Sequence, residues 1–130
     1  MGAEKSTPYG NLRMFTAGGA ITKGAIVKFG ADEHTVVVAT TTTEQLLGVA
    51  EHDAASGEAV RVLMSNGETQ VKAGGTITLG ALVTSGAAGV GVAAAPAQGV
   101  NAFYVGRAMK AAASGDLFPV HVFPGVMQGA

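Results

Sequence analysis

An internal repeat is the feature of this sequence that most constrains its fold. Residues 21–27, Ile-Thr-Lys-Gly-Ala-Ile-Val, recur as residues 77–83, Ile-Thr-Leu-Gly-Ala-Leu-Val. A second block, Ala-Ala-Ser-Gly-Glu at 54–58, recurs as Ala-Ala-Ser-Gly-Asp at 112–116. The offsets are 56 and 58 residues, and the two blocks keep their order along the chain. Two collinear matches at nearly one offset predict a domain built from two similar halves.

The two predicted halves, at about residues 21–67 and 77–125, consist of short apolar segments separated by turn residues. Residues 59–64 have alternating valines and residues 35–38 are β-branched throughout, and both patterns are typical of strands. We predict strands at 21–29, 34–40, 45–51, 59–64, 68–72, 76–84, 90–94, 103–110 and 117–123. The expected fold class is therefore mainly β, a small barrel- or sandwich-like domain with an internal two-fold repeat.

Glycine and asparagine mark the predicted turns. Asn66-Gly67 is a strong hairpin signal because both residues tolerate positive φ, so residues 68–72 are predicted to pair with residues 59–64. In the first repeated block, Gly24 permits a bend or bulge, and the Ser-Gly pair of the second block suits a tight turn.

The first 20 residues differ from the repeats. They show little periodicity and mixed charge, yet they include the bulky side chains of Tyr9, Met14 and Phe15, which disordered tails usually lack. We predict that residues 1–20 form an extended N-terminal arm and that residues 21–130 form a single β-rich domain. A frayed terminus is the alternative.

Composition excludes several classes of function. The chain has no cysteine, so disulfides, thiol catalysis and cysteine-based zinc sites are excluded. Charged residues make up 13% and the net charge is −1, which is not the basic balance of a nucleic-acid binder. Residues 73–106 carry no charge, but polar residues and glycines interrupt them too often for a membrane span. We therefore expect neither nucleic acid nor a membrane as a partner.

Candidate catalytic and metal-binding groups are sparse. Glu51, His52 and Asp53 form the best local cluster, but three consecutive side chains of a strand or turn rarely converge on one ligand. His121 lies in an alternating strand and is expected to face solvent or to be a satisfied edge residue. No phosphate loop, dinucleotide fingerprint or nucleophile elbow occurs. The sequence thus predicts no catalytic, cofactor-binding or metal site, and a protein that is not an enzyme.

Four segments carry a resemblance to a known family. They are Gln-Leu-Leu-Gly-Val-Ala at 45–50, Ala-Ser-Gly-Glu-Ala-Val-Arg-Val at 55–62, residues 73–83 and residues 105–122. In these segments the chain resembles the small capsid cement, or decoration, proteins of tailed bacteriophages. The matching motifs are structural rather than catalytic, and the resemblance extends over about residues 21–125.

This resemblance implies a virion protein on the outer surface of the mature phage capsid. Its partners would be the major capsid protein, whose subunits it would bridge, and other copies of itself, as a homotrimer or alternatively a dimer. It would need no cofactor. The N-terminal arm would add a strand to an exposed sheet edge of a neighbour. The candidate contact residues of the arm are Lys5, Tyr9, Arg13, Met14 and Phe15.

Two alternatives stay open at this point. One is another phage structural component, such as a head-fibre base or a neck protein, which a different copy number per virion would distinguish. The other is a carbohydrate- or host-binding β module. The chain has no tryptophan and only two tyrosines, which argues against a sugar site that stacks on aromatic rings.

Overall fold

The computed structural model describes residues 11–129 of the chain. Ten β-strands account for about half of this part, and a short 3-10 turn lies at Ala87–Gly89. The strands are β1 (Asn11–Ala17), β2 (Ile26–Phe29), β3 (Thr35–Val38), β4 (Gly48–Ala50), β5 (Ala59–Ser65), β6 (Gly67–Lys72), β7 (Leu82–Ser85), β8 (Gly91–Ala93), β9 (Asn101–Ala108) and β10 (Leu117–Gln128). The prediction of a mainly β fold is confirmed.

The first five strands close into a barrel in the order β1-β3-β2-β4-β5. β1 closes it, because β1 runs antiparallel to β5 and parallel to β3, where Ala17 pairs with Val36. Residues 11–17 therefore form a barrel strand, which differs from the extended arm predicted over residues 1–20. Only Phe15 and Ala17 of this strand are buried, so its sequence carries too short an alternation to be recognised. The rest of the predicted arm, residues 1–10, lies outside the described residues.

The other five strands form a second sheet in the order β6-β10-β9-β7-β8. Its two outer strands come together where Ala73, just after β6, forms a parallel bridge to Gly91 of β8. The barrel has the corresponding order β1-β5-β4-β2-β3 when it is followed from β1 through β5, and its contact between β1 and β3 is also parallel. The two sheets thus share one strand order.

Hydrogen bonds at the repeated sequence blocks recur in both sheets. Gly24 and Gly80 each have a φ of 84°, in the left-handed region that favours glycine. Their backbone N–H groups donate to the carbonyls of Ala50 and Ala108, at 2.8 and 2.9 Å. Other matched backbone pairs are Ile21–Ala54 with Ile77–Ala112, and Gly57–Ala17 with Gly115–Ala73. The bend predicted at Gly24 is present, and Gly80 repeats it.

The turn between β5 and β6 differs from the predicted hairpin. Asn66 has a φ of 59°, as the Asn-Gly signal indicates, but β6 does not pair with β5. Instead β6 pairs with β10, from Lys72 opposite Leu117 to Gly67 opposite Val122. The N–H of Asn66 donates to the carbonyl of Val122 at 2.9 Å. A single left-handed residue, rather than a two-residue loop, therefore carries the chain from one sheet into the other.

Two clusters of buried apolar side chains form the core. The first draws on the barrel alone and contains Phe15, Ala17, Ile21, Ala25, Val27, Val36, Ala50, Ala54, Val60 and Val62. The second contains Ile26, Ala39, Leu46, Val49 and Leu63 from the first half with Val71, Ala73, Ile77, Val83, Val105, Ala108, Phe118, Val120 and Val122 from the second. Adjacent residues such as Ile26 and Val27 belong to different clusters, because β2 and β4 bury residues on both of their faces. The second cluster is therefore a core that both sheets share, and the first belongs to the barrel.

Two glycines set the distance between the barrel and the second sheet. A Cβ on Gly24 would lie 2.8 Å from the carbonyl oxygen of Gln70 in β6. A Cβ on Gly89 would lie 3.0 Å from the carbonyl oxygen of Ile26 in β2. Any larger residue at these positions would push backbone away from backbone, so the junction depends on glycine at both.

Candidate functional site

Only some of the candidate contact residues of the predicted arm belong to the described part of the chain. Lys5 and Tyr9 lie outside the described residues, and the other three lie on β1. Met14 is 54% exposed, whereas Phe15 is 4% exposed and packs in the barrel core. The guanidinium of Arg13 lies 5.1 Å from the centre of the Phe15 ring, a cation–π contact. Phe15 therefore contributes to the barrel core, while Met14 and Arg13 lie on the surface.

A cleft of about 360 Å³ lies where the barrel meets the second sheet. One wall is the turn before β2, and the other comes from the end of β6, the 3-10 turn and the start of β10. The lining residues are Thr22, Lys23, Gly24, Ala25, Lys72, Ala88, Gly89, Val90 and Leu117. Of these described residues two are lysines and none is acidic, so the lining is basic.

Within the described part of the chain, the ammonium groups of the two lysines of this basic cleft form no ion pair. Among residues 11–129, no carboxylate oxygen lies within 4.0 Å of the Nζ of Lys23 or Lys72. Asp53 approaches Lys23, but its Oδ1 accepts a hydrogen bond from the backbone N–H, at 2.7 Å. Leu117 lies directly opposite Lys72 in the pairing of β10 with β6 and is 63% exposed. The cleft thus presents two cations beside an exposed apolar side chain.

Sequence reasoning did not find this cleft. Lys23 and Lys72 come from different halves of the chain, and each is an isolated lysine among uncharged neighbours. The crossover at Asn66, which the hairpin prediction missed, is what brings β6 beside the turn at Gly24. No local pattern carries that information.

A second cluster joins aromatic and basic side chains from β9 and β10. The ring centre of Phe123 lies 5.8 Å from that of Tyr104 and 5.6 Å from that of His121. The guanidinium of Arg107 lies 5.9 Å from the same ring. His121 is exposed, in agreement with one of the two outcomes predicted for it. These contacts form an edge-to-face and cation–π network on the sheet surface.

The Glu51-His52-Asp53 segment forms local hydrogen bonds. The Nε2 of His52 accepts a hydrogen bond from the N–H of Arg61 at 3.1 Å, and its Nδ1 donates to the carbonyl of Asp53 at 2.9 Å. Both ring nitrogens are therefore engaged, and the imidazole links the turn after β4 to β5. Residues 11–129 contain no group of three or more histidine, aspartate or glutamate side chains arranged to hold a metal ion.

Glu44 organises the loop between β3 and β4. Lys28 donates to its Oε2, and the backbone N–H groups of Thr40 and Thr41 donate to its Oε1 at 2.8 and 3.0 Å. These hydrogen bonds lower the pKa of Glu44 from 4.5 to about 2, the one from Lys28 most of all. The same loop reaches the second sheet, because the N–H of Phe103 donates to the carbonyl of Thr42. Glu44 is thus a structural carboxylate near the junction.

Several large apolar side chains are exposed in both halves of the chain. They are Leu12, Met14, Phe29, Leu79, Val100, Met109, Leu117 and Val126. Exposed apolar surface of this kind favours contact with other proteins where it is contiguous. Across residues 11–129, the structure has no helix with the length and apolar character needed to cross a membrane.

Comparisons with known proteins place the chain among phage proteins. The sequence profile described as phage cement protein matches residues 8–122. Among solved structures, the N base of the head fibre protein gp8.5 of bacteriophage phi29 is similar, with a TM-score of 0.63 and 20% sequence identity. That match covers 87% of this chain and 93% of the phi29 chain. No curated protein matches the sequence.

Proposed function

This chain belongs to the phage cement protein family, and from that premise we propose that it binds the outer surface of the mature capsid and bridges neighbouring major capsid subunits. The observation that carries the proposal is the family match, which spans both sheets of the structure. The chain is a phage structural protein. No enzymatic activity forms part of the proposal.

Binding of this kind stabilises a shell by mass action. A protein that binds only the assembled, expanded lattice lowers the free energy of that state, and the effect grows with concentration above Kd. Many copies bound to one shell act together, so a modest affinity at each contact is sufficient. A rigid domain with one shared core suits this role, because it loses little conformational entropy on binding.

We further propose that the protein associates with itself, as a homotrimer or else a dimer. Its charge content of 13% leaves much of the surface neutral, and apolar side chains such as Leu79 and Met109 are exposed. A closed symmetric oligomer would bury part of this surface. Sedimentation equilibrium of the purified protein measures the number of copies directly.

A second candidate function is a base that attaches a head fibre to the capsid. The structural similarity to the phi29 head fibre base favours it. The number of copies per virion and the shape of the bound density distinguish a cement protein from a fibre base. A cement protein would appear as compact density at hundreds of sites, whereas a fibre base would carry a protruding extension.

The test is co-sedimentation of the purified protein with expanded and unexpanded shells that lack it. We expect saturable binding to expanded shells only, at hundreds of copies per shell, together with a higher temperature of shell disruption. Absence of binding to both forms would refute the proposed function. Binding at a dozen sites or fewer would favour the fibre base or another minor component.

A further inference from the structure

We propose that the basic cleft between the two sheets binds an acidic segment of the shell protein, with Lys23 and Lys72 pairing with its carboxylates. The inference rests on the proposed function and names the contact through which it would operate. The cleft lies away from β1, where the sequence-based candidates Arg13, Met14 and Phe15 are found.

Charge complementarity identifies the chemistry of the partner. The cleft holds two lysines, and no carboxylate of residues 11–129 lines it. The nearby carboxylate of Asp53 accepts a hydrogen bond from the backbone N–H of Lys23 and does not pair with its ammonium group. Two positive charges in one concave site attract a segment that carries aspartate or glutamate, and the concave walls strengthen that field.

The shape of the cleft indicates an extended segment rather than a folded domain. Its volume of about 360 Å³ is near the lower end of the range for ligand pockets, which suits a few side chains. Leu117 and Val90 offer apolar contact beside Lys72. The occupant is therefore expected to place an apolar side chain next to its acidic one.

One residue that lines the cleft has an unusual backbone conformation. Ala88 lines the cleft with φ 57° and ψ 29°, a left-handed conformation that an alanine rarely adopts. Strained non-glycine residues are concentrated at ligand sites, where the surrounding structure holds them. Here Gly89 fixes the neighbouring backbone against Ile26 and Ala25 of the barrel. The strained turn therefore forms a rigid wall of the cleft.

Because both sheets contribute walls, a bound segment would contact the barrel and the second sheet at once. Lys23 belongs to the barrel and Lys72 to β6, and the backbone contact between Gly24 and Gln70 holds the two sides at a fixed separation. A preformed site of this kind needs no rearrangement before it binds. Reversal of either charge should therefore weaken binding without a change of fold.

The first experiment measures binding of charge-reversed variants to expanded shells. The double variant Lys23→Glu with Lys72→Glu is expected to raise Kd at least tenfold, and the corresponding double alanine variant by a smaller factor. Lys110→Glu is the control for the double alanine variant, since both lower the net charge by the same amount, and Lys110 is exposed and does not line the cleft. It should change Kd less than threefold. Circular dichroism and thermal unfolding confirm that each variant is folded.

The second experiment identifies what occupies the cleft. A water-soluble carbodiimide joins a lysine nitrogen to a carboxylate in direct contact, and mass spectrometry of the bound complex locates the amide. We expect cross-links from Lys23 or Lys72 to aspartate or glutamate of the shell protein. Cross-links from these lysines to another copy of this chain, or none in a saturated complex, would overturn the inference.

The outcomes separate the inference from the function it rests on. If wild-type protein fails to bind shells, the proposed function is refuted and the inference falls with it. If wild-type protein binds and both double variants bind with the same Kd, only the inference is refuted. If Lys110→Glu weakens binding as much as the double alanine variant does, the inference is also refuted, because net charge alone would then explain the effect.

Discussion

Glu44→Gln tests whether one carboxylate holds the loop between β3 and β4 in place. The pKa of Glu44 lies at about 2, against an ordinary value of 4.5, so the charged form favours the folded state. At about 1.4 kcal/mol per pKa unit the shift corresponds to about 3 kcal/mol. The Glu44 and Lys28 side chains are 21% and 28% exposed, and solvent screening reduces the expected cost of the substitution to about 1–2 kcal/mol.

The lowered pKa of Glu44 fixes the direction in which the stability difference changes with pH. The folded-state pKa lies below the unfolded value, so the stabilisation is fully present above about pH 4.5 and is lost as pH falls toward 2. Urea denaturation from pH 7 downward should therefore show wild-type and Glu44→Gln proteins converging as the pH decreases. Glu33→Gln is the matched control. Glu33 is exposed, and its one contact with a charged group is the 3.9 Å approach of its Oε1 to the Nε2 of His34 within residues 11–129, so the substitution should change the free energy of unfolding little. A stability difference for Glu44→Gln that is the same at pH 7 and pH 3 would refute the reasoning.

Two further predictions concern packing. Phe118→Ala removes a fully buried ring and should lower the free energy of unfolding by about 3–5 kcal/mol in urea denaturation, whereas Leu117→Ala beside it should change it by less than about 0.5 kcal/mol. Equal losses would contradict the assigned faces of β10. Gly106→Ala places a methyl group against the carbonyl oxygen of His121 and should cost roughly 1–3 kcal/mol. Gly75→Ala, where nothing lies within 4 Å, should leave thermal unfolding nearly unchanged, and similar losses in both variants would argue against the close approach.

Strand positions were predictable where local pattern and local structure agree. β3, β5 and β8 lie within one or two residues of their predicted bounds, because valine-rich segments end at glycine and polar turn residues. The predicted strand at 21–29 begins only at Ile26, since the positive φ of Gly24 interrupts it. β10 extends beyond its predicted end at Phe123, because a bulge between Val122 and Gly125 lets the pairing with β9 continue past Pro124.

Pairing between distant strands was not predictable in the same way. Asn66 adopts the conformation that its sequence indicates, yet the same φ serves either a hairpin or a crossover. The choice depends on whether β6 gains more by pairing with β5 or with β10, which lies about 50 residues further along the chain. The cleft depends on that pairing, so the pattern of neighbouring residues could not predict it.

The burial of both faces of the barrel strands β2 and β4 couples the unfolding of the barrel to that of the second sheet. A fragment that ends at Asn66 would contain all five barrel strands, but it would leave Ile26, Val49 and Leu63 facing water. The second half alone would lack the same partners. Neither sheet is therefore an independent folding unit, and the chain is expected to melt in a single cooperative step. Although the protein has two similar sheets, one sheet is not expected to unfold while the other stays folded.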